Sequence, residues 1–368
     1  MAGETRPITV LHAFSRHNAG DGLLVDLTLD ALAAAGVKRD RIEVLALDPE
    51  SFPELDKVHR APGEPTARPT IKLAKAAGTL AASLVGADNL RDRLKKSHAL
   101  VAVGGGYLVA DSPTRQAGVL LNHLAQLRAA ASHPGPTIYL PQSIGPLHGV
   151  AKALALPALA KIDRIWVRDD ETERELGLSN TCRCPDLAVM ELAERFSGIE
   201  AAASDGRPVL VGRDLPRAGD YAQRLGKLSN SLGDVSWAVQ ADVAGPRSDR
   251  AFYHRQGWKD AGSLAQVLQE PTGPVVSVRL HGAIAALLAG RPTIHLAYER
   301  KGWGAYEDLG LERWVHDARD FDPELVAAQV RDLSQDAGPF WQAVAQSCDK
   351  IRASKQEMIA DLAARLGE

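Results

Sequence analysis

Short apolar runs alternate with alanine- and leucine-rich stretches of helical period along the whole chain. This alternation limits the possible folds more than any other feature. The apolar runs lie at 8–14 (ITVLHAF), 42–48, 99–103, 137–140 and 164–168, and again at 208–213, 235–241, 274–280, 293–298 and 314–316. Helical patterns fall between them at 22–35, 70–86, 112–131, 149–161, 218–232, 262–269, 282–289 and 322–333. Runs such as Val275-Val276-Ser277-Val278 alternate too little to be half exposed, so the strands are expected to be covered on both faces, as parallel strands are. Strand–helix alternation of this kind predicts an α/β fold with helices on both faces of parallel sheets. The polar, aperiodic stretch 195–207 (RFSGIEAAASDGR) divides the two series. The expected organisation is two Rossmann-like domains facing a cleft, 1–195 and 196–336, followed by a C-terminal helical segment, 337–368, that can pack back on the first domain.

Length agrees with this division, since 368 residues are more than one core usually serves. A net charge of −3 argues against a nucleic-acid binder driven by bulk electrostatics. The three cysteines, Cys182, Cys184 and Cys348, do not form a disulfide framework. Cys182 and Cys184 lack a second ligand pair, and no metal cluster is expected. The opening MAGETRPITVLHAF lacks the basic-then-apolar pattern of a secretion signal, and no apolar run of about 18 residues occurs. Cytoplasmic residence is the expectation, with peripheral contact to a membrane left open.

Candidate chemistry gathers at the carboxyl ends of the predicted strands, where open parallel sheets bind ligands. Arg279 and His281 close strand 274–280, two apart and so expected on one face. Gly282 opens a helix whose amino end favours anions. A fixed cation, an imidazole and a helix terminus suit a phosphate or carboxylate; the same residues also fit an arginine paired to a carboxylate beside a satisfied histidine. Arg213 closes strand 208–213, so the pair Arg213 and Arg279 provides two cationic points. Lys301 is a third, or an exposed lysine at a helix start. In the first half, Asn18 and Asp21 lie in a polar, glycine-containing junction (SRHNAGDG) that suits a polar ligand or helix capping. Gly104-Gly105-Gly106 allows close backbone approach at a tight turn, with Gly105 and Gly106 as candidate contacts. The dinucleotide fingerprint and the phosphate loop ending Gly-Lys-Ser/Thr are both absent. The stiff loop Pro141–His148 offers Gln142, Ser143 and His148. Arg168 is expected to pair with Asp169 or Asp170, one of which caps a helix. Trp258 and Trp303 sit in glycine loops and suit stacking on a sugar or simple packing.

Taken in order, Asn18-Ala19-Gly20-Asp21, Gly104–Gly106, Pro141-Gln142-Ser143-Ile144-Gly145-Pro146, Val167-Arg168-Asp169, Cys184-Pro185-Asp186, Ser277-Val278-Arg279-Leu280-His281, and Gly290-Arg291-Pro292 through Tyr298 and Lys301 resemble the polysaccharide pyruvyl transferases over roughly residues 8–311. The resemblance implies a GT-B-like fold and transfer of a pyruvyl group from phosphoenolpyruvate to two hydroxyls of a sugar, a glycan or a lipid-linked glycan. A pyruvate ketal forms and phosphate leaves. It implies an acceptor side in the first domain and a donor side in the second, with phosphoenolpyruvate as donor substrate and no separate cofactor. His281 is then the acid–base group, with His148 in reserve, and Arg279 and Arg213 hold the donor. The stretch 235–256 departs from the histidine-rich loop common in that family, which leaves its polar contacts and the acceptor open. Two other readings stand beside this one. One is a GT-B glycosyltransferase using a nucleotide sugar, with Glu299 at a ribose. The other is a non-catalytic binding protein on the same scaffold.

Overall fold

Ile8–Ala13 (β1) is buried along its whole length, which is why it reads as an apolar run without alternation. In the computed structural model, which describes residues 6–63, 89–198, 206–215, 219–242 and 248–367, β1 lies inside a fully parallel sheet. The predicted helix 70–86, the centre of the linker 195–207 and residues 243–247 of the divergent stretch lie outside those residues. The other strands of this sheet are β2 (Ile42–Ala46), β3 (Val58–Arg60), β4 (Ala99–Ala102), β5 (Gly105–Ala110), β6 (Thr137–Leu147), β7 (Arg164–Val167) and β8 (Thr181–Arg183). They run in the order β3-β2-β1-β4-β6-β7-β8, with β5 paired to β6 off that path. The second sheet contains β9 (Val209–Val211), β10 (Ser236–Val239), β11 (Asp260–Ser263), β12 (Val275–Ser277), β13 (Thr293–Ala297) and β14 (Val315–Asp317). Its order is β11-β10-β9-β12-β13-β14, again parallel throughout.

The described chain divides into two compact units, each holding one sheet. The first comprises residues to Arg16, Asp21–Leu187 and Ser354 onward; the second comprises His17–Gly20 and Ala188–Ala353. The helix Gly338–Leu366 carries apolar residues at helical spacing in both its halves. Phe340, Val344, Cys348 and Ile351 are buried in the second unit, and Met358, Leu362 and Leu366 in the first. No helix among the described residues is long and apolar enough to cross a membrane.

Several local expectations change. Gly104–Gly106 does not turn directly into a helix: Gly105, at a φ of 151°, starts β5. The stretch after Leu140 is not a loop, because pairing with β5 carries β6 on to Leu147 and buries Ile144 and Leu147. The helix expected over 112–131 breaks at His123 into Pro113–Asn122 and Leu124–Ala130. The segment 262–269 starts as the end of β11 and becomes helical only over Leu264–Val267, where Ser263 caps it. Arg168 pairs with Asp186 rather than with its neighbours, and its Nε donates to Ser143 Oγ at 3.1 Å. Asp169 instead caps the helix Asp170–Leu176, accepting from the Thr172 N–H at 2.7 Å, and Asp170 pairs with Arg183. Trp258 stacks on Trp237, with centroids 4.0 Å apart, so it belongs to the packing of the second unit.

The break at His123 has a cause in the core of the first unit. His12 adopts a φ of 65° within β1, a conformation that costs a non-glycine residue of order 1 kcal/mol. Three contacts hold it. Its N–H donates to Gln126 Oε1 at 2.8 Å, its Nδ1 meets His123 Nδ1 at 3.2 Å, and its Nε2 meets Tyr139 Oη at 3.0 Å. A contact between two Nδ1 atoms needs one donor and one acceptor, so at least the accepting ring is neutral. Burial, and for His12 also the neighbouring His123, keeps both from charging; His123 is lowered to about 3.

Candidate functional site

The second sheet has the 3-2-1-4-5-6 order in which strand succession reverses between its first and fourth strands, here β9 and β12. Ligands of such sheets bind beyond the carboxyl ends of these two strands, because loops leaving them diverge to opposite faces and open a crevice. Arg213 follows β9, and Arg279 and His281 follow β12, so the predicted residues fall at this position.

The strand β12 ends at Ser277, earlier than expected. Arg279 therefore occupies the cap position of the helix Leu280–Leu288, and His281 lies in its first turn. The two do not share a strand face; the start of the helix sets their directions. Ser277 makes the turn by using its hydroxyl twice: it accepts from the Arg279 N–H at 3.2 Å and donates to the Arg279 carbonyl at 2.8 Å. His295, buried on β13, fixes Ser277 in turn through Nδ1 to the Ser277 carbonyl at 2.7 Å. A carbonyl only accepts, so Nδ1 carries the proton. The His295 pKa is lowered to about 4. Burial is the main cause, the Ser277 bond opposes it, and the charges of Lys301 and His281 add to it.

The guanidinium of Arg279 is largely buried and is paired with Asp249. Its Nε lies 2.9 and 3.1 Å from the two carboxylate oxygens, and Nη2 lies 2.5 Å from Oδ1. Asp249 is fully buried and also accepts from the backbone N–H groups of Gln240 and Ala241, at 3.1 and 2.8 Å. Ala241 bridges to the backbone of Asn18, whose Oδ1 accepts from the Gly20 N–H at 3.3 Å. Asn18 thus joins the site through its main chain.

Three glycines close the packing. A Cβ on Gly20 would lie 2.5 Å from His281 Nδ1, one on Gly282 2.0 Å from Gln240 Oε1, and one on Gly302 2.3 Å from His295 Nε2. None of the three has a positive φ, so close approach, not backbone freedom, calls for glycine here.

The three predicted cations differ in charge balance. Arg279 is paired with Asp249, and Lys301 with Glu299 at 2.9 Å. Among the described residues Arg213 meets neutral groups: its Nη1 donates to Tyr298 Oη, its Nε lies 3.4 Å from the Asp214 carbonyl, and its guanidinium carbon sits 5.1 Å from the Tyr298 ring centre. The Asp214 carboxylate is turned to Arg255 at 2.6 Å. Among the described residues Arg213 contacts no carboxylate, so its charge is the one available to an anion.

In the first unit, Gly105 and Gln142 pair across β5 and β6, with Gly106 adjacent. Gln142 is fully buried beside the Tyr107 hydroxyl. The Ser143 hydroxyl is committed to the core: it donates to Asp169 at 2.5 Å and accepts from Arg168. His148 is exposed at the far end of β6, so the structure does not bring it to Gln142 and Ser143. Asp21 lies in the first turn of the helix Ala19–Ala34.

Sequence reasoning missed Asp249, Gln240 and His295, and met Tyr298 only as part of a motif. Asp249 follows Ser248, which caps the helix Asp249–Gln256, so locally the pair reads as a helix start. His295 lies inside a buried strand and Tyr298 directly follows it, and their spacing gave no signal beyond the strand.

Buried neutral His12, His123 and His295 make stability sensitive to acid. Each binds a proton more weakly when folded than when unfolded, where the value is near 6.5. Their contribution is therefore fully present above that value and is lost as pH falls from about 6.5 toward the folded values, at up to about 1.4 kcal/mol per pH unit for each histidine. The urea midpoint is expected to drop steadily between pH 7 and pH 5. A flat profile over that window would contradict the buried neutral assignment.

The fold resembles solved structures along its whole length. UGT89C1 of Arabidopsis thaliana, complexed with quercetin, superposes with a TM-score of 0.57 at 12% identity, covering 99% of this chain and 100% of that one. A UDP-forming α,α-trehalose-phosphate synthase of Burkholderia xenovorans gives 0.54 at 14% identity, covering 99% of each. S. aureus MnaA with UDP gives 0.52 at 10% identity, covering 99% and 97%. The fold class is accordingly GT-B-like α/β, with two parallel sheets and a C-terminal helix. No curated protein matches the sequence. The chain belongs to the polysaccharide pyruvyl transferase family, which it matches over residues 18–261. The segment carrying Arg279 and His281 lies beyond the matched range.

Proposed function

We propose that the protein transfers a pyruvyl group from phosphoenolpyruvate to two hydroxyls of a sugar-containing acceptor. The observation that carries this reading is the placement of Arg213, Arg279 and His281 together at the switch point of the second sheet. Family membership supports a transferase, and the donor and the ketal product are inferred from site chemistry. Phosphoenolpyruvate carries a phosphate and a carboxylate, which suit two arginines. Its methylene carbon takes a proton and becomes the methyl group, leaving an oxocarbenium-like centre. A sugar hydroxyl attacks that carbon and loses its proton. The bond to the phosphate oxygen breaks, and a second hydroxyl attacks the same carbon to close the ketal. Of the two hydroxyl protons, one balances the methyl group and the other leaves with phosphate. His281 is the proton carrier in this scheme, since an imidazole can both donate and accept a proton. Arg213 stabilises charge on the departing phosphate, and Arg279, already paired with Asp249, borders the donor's carboxylate. Lys301 and Asn18 border the donor, and Asp21, Gly105, Gly106 and Gln142 of the first unit are the candidates for acceptor contacts. Ser143 is tied into the core, and His148 is too far along β6 to join them.

A second reading, glycosyl transfer from a nucleotide sugar, draws on the similarity to a UDP-forming synthase. Glu299, its candidate ribose contact, is paired with Lys301. The two are separated by incubating the protein with a panel of sugars and lipid-linked glycans, supplying phosphoenolpyruvate or UDP-sugars as donor. Acceptor-dependent phosphate release with a ketal product is the expected result. Transfer from a UDP-sugar alone would overturn it.

A further inference from the structure

We propose that Tyr298 is a third component of the anion site: its hydroxyl oxygen anchors Arg213, and its O–H is donated to the same phosphate or carboxylate. This rests on reading the Arg213 and Arg279 site as the donor site.

Tyr298 directly follows β13, and β13 pairs with β12 through His295 opposite Ser277. Arg213 leaves β9 on the other side of β12. Its side chain must therefore cross the end of β12, where Arg279 begins, to reach Tyr298. It is held there twice. Nη1 donates to the phenol oxygen, and the guanidinium lies over the ring at 5.1 Å from its centre. Tyr298 is itself fixed from the other side, since its carbonyl accepts from Arg319 Nη1 at 3.0 Å. It also lies within electrostatic reach of Arg279.

The choice of partner has a chemical consequence. A carboxylate in this position would cancel the arginine charge, as Asp249 does for Arg279 and Glu299 for Lys301. A phenol accepts the hydrogen bond and leaves the charge in place for a ligand. Accepting from Arg213 uses lone-pair density on the phenol oxygen and leaves its hydrogen to be donated. Of the five N–H groups of Arg213, one meets Tyr298 and one the Asp214 carbonyl, so the fork still presents donors in its plane. An oxyanion in the guanidinium plane beside Nη1 would meet both the arginine fork and the phenol proton. Tyr298 is partly exposed.

The test is calorimetric titration of wild type, Tyr298→Phe and Tyr298→His with phosphoenolpyruvate and, separately, with inorganic phosphate, each protein first checked by thermal melting. Losing one hydrogen bond to a charged group is expected to weaken anion binding about tenfold to a hundredfold in Tyr298→Phe, with the melting temperature held. Tyr298→His keeps a ring donor and is expected to recover part of the loss. In an Arg213→Ala background, Tyr298→Phe is expected to cause a further loss, because the phenol donates directly. A loss that vanishes in that background would confine Tyr298 to positioning Arg213 and overturn the donor role. Wild-type binding of both anions by Tyr298→Phe overturns the inference altogether. If wild type binds phosphate but not phosphoenolpyruvate, and Tyr298→Phe weakens it, the inference stands and the donor assignment fails. A wild type that binds neither anion overturns both.

Discussion

Replacing His281 with alanine is expected to lower turnover about 10²- to 10⁴-fold, the usual contribution of a positioned acid–base group. Phosphoenolpyruvate affinity should stay within a few-fold of wild type. The separation follows from the geometry. His281 lies in the first turn of the helix Leu280–Leu288 and packs on Gly20, while the charge available to an anion sits on Arg213. Removing the imidazole leaves that charge untouched and opens room over Gly20. The measurement is single-turnover kinetics beside equilibrium binding on the same preparation. Near-wild-type turnover in His281→Ala ends the assignment. A loss seen only in binding would move His281 from proton transfer to donor contact.

The second large effect concerns folding. Arg279→Ala leaves Asp249 as a fully buried carboxylate without its guanidinium, and breaking a buried pair in this way costs about 3–5 kcal/mol. Urea denaturation should show this loss directly. Changing Asp249 to asparagine in the same chain should recover part of it, since the amide oxygen can still accept from the Gln240 and Ala241 N–H groups. Arg213→Ala, which breaks no ion pair among the described residues, should stay within roughly 1 kcal/mol of wild type. Equal destabilisation by Arg213→Ala and Arg279→Ala would contradict the distinction between a structurally paired arginine and an available one. The same contrast decides which variant probes donor binding: Arg213→Ala removes charge from the site, whereas Arg279→Ala also removes its support.

The parallel sheets were legible because strands buried on both faces, such as Ile8–Ala13 and Val275–Ser277, must be apolar throughout. The ends of elements were less so. The strand β6 runs on through Pro141 and Gly145 because β5 pairs with it, and that pairing is a tertiary fact. The helix over 112–131 breaks at His123 because His123 meets His12, 111 residues earlier. Arg213, Arg279 and His281 stood out in the sequence because charged residues ending apolar strands are costly unless used. Their partners did not stand out. Asp249 lies 30 residues from Arg279 and Tyr298 lies 85 from Arg213, and neither spacing follows a local period. Arg168 shows the opposite error: two adjacent acids were the obvious partners, yet the fold delivers Asp186 from the next strand end.

The most direct test of the central claim is calorimetric titration of phosphoenolpyruvate, and in parallel of UDP and UDP-sugars, into wild type and Arg213→Ala. Saturable binding of phosphoenolpyruvate to wild type, lost in Arg213→Ala while the variant melts at the wild-type temperature, is the expected result. Binding of a UDP compound with none of phosphoenolpyruvate would contradict pyruvyl transfer.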